Sequence, residues 1–441
     1  MNQSKAFLRC IDATCNSTFA ITERLYTCSA CGGLLDVAYE FYLPAADELK
    51  NLFQSRKLSN QAIDLSGVWR FRELLPFVTN EANIVTIYEG NTPLYDAPRC
   101  AEYAGLNEVR FKHQGLNPTG SFKDNGMTTG VTQAQVLGAR AVACASTGNT
   151  SASMAAYAAR AGMRGVVFIP AGQVAYGKLS QSLEYGSLVV EIEGNFDDAM
   201  RLVRELANES DLYLLNSINP FRLEGQKAIA IELMEQVNWK APDWLVVPGG
   251  NLGNSSAIGK GLKEMFDAGL IADLPRLAII QAEGASPLYE YFIAEDRSRF
   301  RPFEYPVTLA TAIKIGKPVS WQKSMRALNW TNGIVERVSE QEIADAKAMI
   351  GFDGIGCEPA SATTLAGIKK LVATAVIKPS ETVVAILTGN VMKDPTYSIN
   401  YHTDKLTIEA DGISHPIKGT FANKSVQIAA DKDAIRHLLD L

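Results

Sequence analysis

The stretch Val109-Arg-Phe-Lys-His113-Gln-Gly115-Leu-Asn117-Pro118-Thr-Gly120-Ser-Phe122-Lys123-Asp-Asn-Gly126-Met127 decides how the rest of the chain is read. A β-prone run over 109–112 gives way to glycine, asparagine and proline, and these turn residues lead straight into a helical pattern. Lys123 falls at the helix start, where the positive end of the helix dipole disfavours a cation. A surface lysine reaching into water tolerates that position. A lysine kept neutral and nucleophilic for a Schiff base would suit it as well.

Outward from this stretch the same strand-to-helix pattern repeats. Short apolar or β-branched runs over 141–145, 166–169, 188–192, 212–215, 244–247, 277–281 and 383–387 alternate with longer amphipathic stretches. Alternation of this kind predicts an α/β fold on parallel sheets, with function in the loops at the carboxyl ends of the strands. Ahead of it, 46–56 reads as a helix, and Trp69, Phe71, Leu74 and Leu75 read as packing anchors.

Length and composition narrow the function classes. The chain has 441 residues, 47% hydrophobic and 20% charged, enough to bury a large core over two to four folding units. A net charge of −6 without a long basic run argues against nucleic acid as a partner. No signal-peptide pattern and no run of about 18 apolar residues is present, so we expect no membrane partner and a cytoplasmic location.

Three further loops carry chemistry. Ala145-Ser146-Thr-Gly148-Asn149-Thr150-Ser-Ala-Ser153 leaves a strand and opens a helix, offering hydroxyls, an amide and backbone N–H donors to an anion. Val247-Pro248-Gly249-Gly250-Asn251-Leu252-Gly253-Asn254-Ser255-Ser256 has the curl of a phosphate cup. It is not a Walker loop: five residues separate Gly253 from Gly259-Lys260, and Gly261 stands where a hydroxyl is needed. No GxGxxG dinucleotide fingerprint is present. Thr388-Gly389-Asn390 closes the run 383–387 and can place one hydroxyl in the same cleft. A lysine, an anion loop, a glycine cup and a hydroxyl together suit pyridoxal 5'-phosphate, which has an aldehyde, a phosphate, a ring oxygen and a ring nitrogen.

In this order the loops resemble the β-family, fold type II, of pyridoxal phosphate enzymes, and within it the threonine synthases. The resemblance runs from Glu89-Gly-Asn-Thr-Pro-Leu94 through Asn117-Pro-Thr-Gly-Ser-Phe-Lys-Asp124, Ser146-Thr-Gly-Asn-Thr150, Asn216-Ser-Ile-Asn-Pro220 and Arg222-Leu-Glu-Gly-Gln-Lys227. It continues through Gly249-Gly-Asn-Leu-Gly-Asn254, Glu358-Pro-Ala-Ser361 and Leu387-Thr-Gly-Asn390. It implies that Lys123 carries the Schiff base and that Phe122 lies beside the cofactor. Asn149 would meet the ring oxygen and Thr388 the ring nitrogen, while Gly249, Gly250, Asn251, Leu252 and Gly253 would hold the phosphate. Thr150, Ser217, Arg222 and Asn251, with Lys123, match positions around the phosphate of O-phospho-L-homoserine. Arg222 suits that role because its fork donates two parallel hydrogen bonds; the plain alternative is a surface ion pair with Glu224 or a neighbour.

The implied reaction turns O-phospho-L-homoserine and water into L-threonine and phosphate. A threonine or serine dehydratase of the same fold and a non-catalytic metabolite sensor are the alternatives. The implied architecture is two three-layer αβα domains with mainly parallel sheets, in a protein expected to be a homodimer. The large domain would span 89–126 and 217–400 and the small mobile one 127–216, with an arm over 41–88 and an extension over 401–441.

Four cysteines remain at the front of the chain. Cys10-Ile-Asp-Ala-Thr-Cys15 and Cys28-Ser-Ala-Cys31-Gly32-Gly33 predict a zinc-ribbon-like segment over 1–40, its four thiolates making a tetrahedral structural zinc site. The four-residue gap between Cys10 and Cys15 is wide for such a site, and four reduced thiols in a packed arm, or a ribbon without metal, are the alternatives. The remaining thiols, Cys100, Cys144 and Cys357, read as packing residues, and His113, His402, His415 and His437 are scattered without metal spacing.

Overall fold

In the computed structural model, which describes residues 4–172, 176–194, 196–410 and 412–440, the chain opens with a small antiparallel sheet. Its central strand β1 (Lys5–Cys10) pairs with β2 (Thr18–Ala20) on one side and β3 (Leu35–Glu40) on the other. The helix Ala46–Arg56 then packs Leu49 and Phe53 inward, and a 3₁₀ segment at Trp69–Leu74 buries Trp69 and Phe71 beside them.

Two parallel sheets follow. Strands β4 (Leu94–Asp96) and β5 (Val109–His113) enter the larger sheet, β4 antiparallel to its neighbour. The chain then leaves to build the smaller sheet from β6 (Ala141–Ala145), β7 (Arg164–Pro170), β8 (Leu188–Ile192) and β9 (Leu212–Leu214), in the order β8-β7-β6-β9, all parallel. It returns to complete the larger sheet with β10 (Trp244–Pro248), β11 (Arg276–Ala282), β12 (Ile334–Val338) and β13 (Val383–Leu387). The six strands lie in the order β12-β11-β10-β13-β5-β4. Every residue of β10 and β13 is buried, as a central strand with helices on both faces requires. A short hairpin, β14 (Thr407–Ala410) with β15 (Ile413–Pro416), lies near the C-terminus.

The apolar runs legible in the sequence are strands: those at 141–145, 188–192 and 383–387 have the expected bounds, and the others differ by one to three residues. Strand β12 was not predicted, because Glu336 and Arg337 interrupt its apolar run; at the edge of the sheet those charges are tolerated.

Two helices set the position of the site. Lys123–Val136 lies between the two sheets in sequence, and Pro220–Gln236 leads back to the larger one. Asn219 caps the second helix by accepting from Phe221 N–H, with Pro220 in the first turn. Glycine lets the two helices touch. A Cβ on Gly225 would overlap the carbonyl oxygen of Asn125, and one on Gly126 would stand 2.8 Å from the carbonyl oxygen of Arg222. One on Gly130 would lie 3.1 Å from Arg222 Cγ. The backbone bearing Lys123 therefore rests directly on the backbone bearing Arg222.

Candidate active site

The loop after β5 is tied down before it delivers Lys123. Asn117 Oδ1 accepts from Gly90 N–H at 2.8 Å, and its amide donates to the carbonyl of Gln114. Phe122 N–H donates to Thr388 O at 3.0 Å and Asn390 N–H to Gly120 O at 2.9 Å, so the lysine loop and the loop after β13 are stitched through their backbones. The buried Asp124 carboxylate accepts from Thr119 N–H, Thr119 Oγ1 and Ser153 Oγ; burial outweighs these bonds and pushes its carboxyl up to about 6.

Lys123 is the first residue of its helix, half-buried, with Nζ 4.1 Å from the centre of the Phe122 ring. Its amine donates no hydrogen bond to any described residue. Burial, reinforced by the Arg222 guanidinium and opposed by Glu358, pulls this amine down to about 7. Such a group is neutral in part at physiological pH, as a nucleophile or proton acceptor must be.

Lys123 faces a cavity of about 1010 Å³ at the carboxyl ends of β5, β6, β10 and β13. Phe122, Asn149, Thr150, Ser217, Arg222, Gly250, Asn251, Leu252, Gly253 and Thr388 all line it, so the sequence-predicted site residues converge, with one exception. Gly249 N–H is engaged in the sheet, donating to Ile280 O at 2.6 Å, and Gly249 is not part of the wall. The cup is made by the four residues after it. Gly250 is glycine because a Cβ there would press on the backbone of Ile313 at 3.1 Å. Leu252 takes a left-handed conformation, φ 64°, and its carbonyl accepts from the hydroxyls of Ser255, Ser256 and Ser324, which hold the strained turn in place.

The far wall presents buried polar groups that the protein leaves partly unpaired. Arg222 is 1% exposed, donates to Leu215 O at 2.9 Å, and leaves Nε without a partner. Among the described residues it has no carboxylate partner; Glu224 is taken by Tyr39, Lys227 and Lys260. The plain ion-pair reading of Arg222 therefore fails. Asn251 donates from Nδ2 to Ser217 Oγ at 3.1 Å and accepts from Val319 N–H, which fixes it beside Ser217. Asn254 lines the same wall with both amide atoms unpartnered among the described residues, as does Gln226 through Oε1. Buried polar atoms without protein partners in a cavity wall are what a phosphate-bearing ligand would satisfy.

Glu358, which enters the sequence reading only as part of a resembling motif, lines the cavity. Its carboxylate accepts from Asn149 Nδ2 at 3.0 Å and from Thr388 Oγ1 at 3.1 Å, and burial holds it above its ordinary value. Ser361, three residues on, accepts from Thr388 N–H at 2.8 Å and so orients the same loop. Asn254, Gln226, Lys314 and Lys393 also line the cavity without having been predicted. His113 is structural: Nδ1 accepts from Gly115 N–H, Nε2 donates to Gly356 O at 2.7 Å, and burial keeps the ring neutral. Cys100, Cys144 and Cys357 are buried thiols pushed upward by burial, as packing residues are.

Comparison with known proteins places this geometry. The profile of the pyridoxal-phosphate dependent enzyme family matches residues 85–389. The threonine synthase of Methanocaldococcus jannaschii is 47% identical over 404 residues, covering 91% of this chain and 96% of that protein. The chain belongs to the threonine synthase family of pyridoxal-phosphate dependent enzymes. Another member, threonine synthase 2 of Arabidopsis thaliana, a chloroplastic protein, is 38% identical over 412 residues, 90% of this chain and 79% of its own. Among solved structures, Escherichia coli threonine synthase aligns over 98% of this chain and 99% of its own, with a TM-score of 0.65 at 17% identity. Maize serine racemase aligns over 70% of this chain and 92% of its own, with a TM-score of 0.59 at 19% identity. These two likenesses establish the fold, type II of the pyridoxal phosphate enzymes, and the family membership rests on the sequence relatives.

Proposed function

We propose that this member of the threonine synthase family converts O-phospho-L-homoserine and water into L-threonine and phosphate, with Lys123 as the catalytic amine. One observation carries the proposal: a buried Arg222 without a carboxylate partner stands with Ser217 and Asn251 in the cavity that Lys123 enters. Thr150, in the first turn of the helix Asn149–Ala161, completes the group. Arg222 and its neighbours bind the substrate phosphate, and the helix N-termini around them add favourable dipoles.

The unpartnered Asn254 amide, the open cup at Gly250, Asn251, Leu252 and Gly253, and the acceptor-free Lys123 fit pyridoxal phosphate. In our assignment the cup would take its phosphate, Phe122 would flank it, Asn149 and Thr388 would take its ring oxygen and nitrogen, and Lys123 would be its attachment point. When bound, the cofactor supplies an electron sink that acidifies the bonds next to the substrate amine. Lys123, once free, takes the proton from Cα and returns protons along the chain, which suits a base near 7. Arg222, Ser217, Asn251 and Thr150 hold the phosphate as it leaves Cγ, and water then adds at Cβ. Residues 127–216 close over the cleft and keep water out until phosphate has gone.

We also assign a structural zinc ion to the four N-terminal thiols, a homodimer as the working form and the cytoplasm as its compartment. No helix among the described residues is long and apolar enough to cross a membrane.

The decisive experiment follows phosphate release and threonine formation from O-phospho-L-homoserine, beside a Lys123→Ala variant. Lysine-dependent threonine with one phosphate per turnover is the expected result. Lysine-dependent 2-oxobutanoate from threonine, without phosphate release, would make the protein a dehydratase.

A further inference from the structure

The four cysteines at the front of the chain meet at one point. Their Sγ atoms all lie within 4.8 Å of one another, with Cys10 and Cys31 at 3.5 Å and Cys15 and Cys28 at 3.7 Å. Four thiolates at the zinc–sulfur distance of about 2.3 Å form a tetrahedron with edges of about 3.8 Å. A disulfide needs sulfurs at about 2.05 Å, and none of the four is so paired.

Two tight turns aim the thiols. The wide gap after Cys10 is drawn in by Asp12, whose carbonyl accepts from Cys15 and Asn16 N–H and whose carboxylate accepts from Thr14 N–H and Oγ1. In the second turn Gly32 adopts φ 73°, Cys28 N–H donates to Gly33 O, and Gly33 N–H points at Cys31 Sγ at 3.4 Å. A Cβ on Gly33 would sit 3.2 Å from Cys31 Sγ and 3.3 Å from Cys10 Sγ, so glycine leaves the centre room. Thiols that served only as packing would have no reason to converge from two such turns.

Strand β3 leaves this centre and grips three helices. Lys323 donates to Leu35 O at 2.7 Å and pairs with Asp36 at 2.9 Å, and Arg326 pairs with Asp36 at 2.5 Å. Lys260 donates to Val37 O at 2.5 Å, and Tyr39 Oη donates to Glu224 Oε2 at 2.7 Å. The three helices are Pro220–Gln236, whose first turn bears Arg222; Gly253–Asp267, which opens at the cup; and Trp321–Thr331. Ser324 in the last donates to Leu252 O, and Ser320 N–H just before it donates to Asn251 O.

We infer that the zinc ion at Cys10, Cys15, Cys28 and Cys31 fixes β3 as a stay for the three helices that present the phosphate-binding groups. Loss of the metal is then felt as weaker phosphate recognition at Arg222 and at the cup, the groups these helices carry or open from. The stay rests on the zinc assignment and on the phosphate role proposed for Arg222.

The test measures metal on the purified holoenzyme by mass spectrometry, and then strips it with an organomercurial and a chelator. About one zinc per chain is expected, with four thiols shielded from a thiol reagent until the metal leaves. Stripping should raise KM for O-phospho-L-homoserine and the inhibition constant of inorganic phosphate roughly tenfold, the weight of one charge-assisted hydrogen bond, and added zinc should restore both. With pyridoxal phosphate in excess the absorbance of the lysine-bound cofactor should persist, which shows that the stripped protein is still folded. Tyr39→Phe keeps the metal ligands and so guards against simple unfolding; its zinc content should be unchanged while both constants rise. Four freely reactive thiols without metal would overturn the zinc site, whatever reaction the enzyme performs. Bound zinc whose removal leaves both constants unchanged would overturn the stay.

Discussion

The acid–base behaviour of Lys123 follows from its neighbours. Its amine is held low by burial first and by Arg222 second. The rate at which the cofactor-free protein takes up pyridoxal phosphate should rise with pH through about 7, because only the neutral amine attacks the aldehyde. Removing the nearby cation in Arg222→Gln lets the amine hold its proton more tightly, so the midpoint of that rise should move to higher pH. Absorbance traces across pH provide the check, and an unmoved midpoint would mean that burial alone sets the amine. The same variant removes a charged hydrogen-bond donor from the proposed phosphate site. A loss of about 1.5–3 kcal/mol corresponds to a fall in kcat/KM of roughly 10- to 150-fold. Lys in place of Arg222 keeps the charge without the fork and should recover only part of that loss, measured with O-phospho-L-homoserine.

At the scale of elements, the crossing of Lys123–Val136 on Pro220–Gln236 depends on glycine. Gly225→Ala would drive a methyl group into the carbonyl of Asn125 and the hydroxyl of Thr129. Overpacking of this kind costs about 1–3 kcal/mol, and thermal unfolding should show it as a lower Tm. Because the displaced helix carries Arg222, KM should rise as well in whatever fraction folds. Gly148→Ala makes a useful contrast, since a Cβ there meets nothing within 4 Å and should leave Tm nearly unchanged.

The elements also mark how far the sequence could be read. Runs such as 141–145 and 383–387 announce strands because every residue in them is apolar, and such runs belong to covered parallel sheets. The turn residues around Lys123, Asn149 and Gly250 announce loops, so the residues that meet in the cavity were legible as parts. Their meeting was legible only through resemblance to a family. Glu358, linked to Asn149 209 residues away, has no local signal. Gly126, Gly130 and Gly225 look unfavourable inside helices until the two backbones are laid together. A glycine run does not reveal which of its N–H groups the sheet consumes, as it does that of Gly249.

For the whole molecule, the two sheets contribute unequally to the cavity. The larger sheet and its helices supply the cup and Arg222, and the smaller side supplies the Ser146–Thr150 loop and Gln181. Lys393 donates across the cleft to Gln181 at 2.5 Å, Gln181 donates to Thr119 O at 3.3 Å, and Asn149 donates to Glu358 at 3.0 Å, so these contacts bridge the two sides. If the smaller side closes on phosphate, hydrogen exchange in the helix Tyr176–Glu184 should slow when inorganic phosphate or substrate is added. Exchange in β10 and β13, already buried, should not change. Equal slowing throughout would point to global stabilisation by ligand instead of closure.

The glycine-lined crossing has a consequence for which molecules can be processed. Lys123 and Arg222 ride on two backbones in direct touch, so under the roles proposed for them the span between amine and fork would work as a fixed gauge of substrate length. A phosphoester one carbon shorter would leave its phosphate out of the fork's reach or its Cα away from the amine. Selection for such a substrate would have to change the length of the side chain at position 222, because neither helix can slide without losing the contact that only glycine permits.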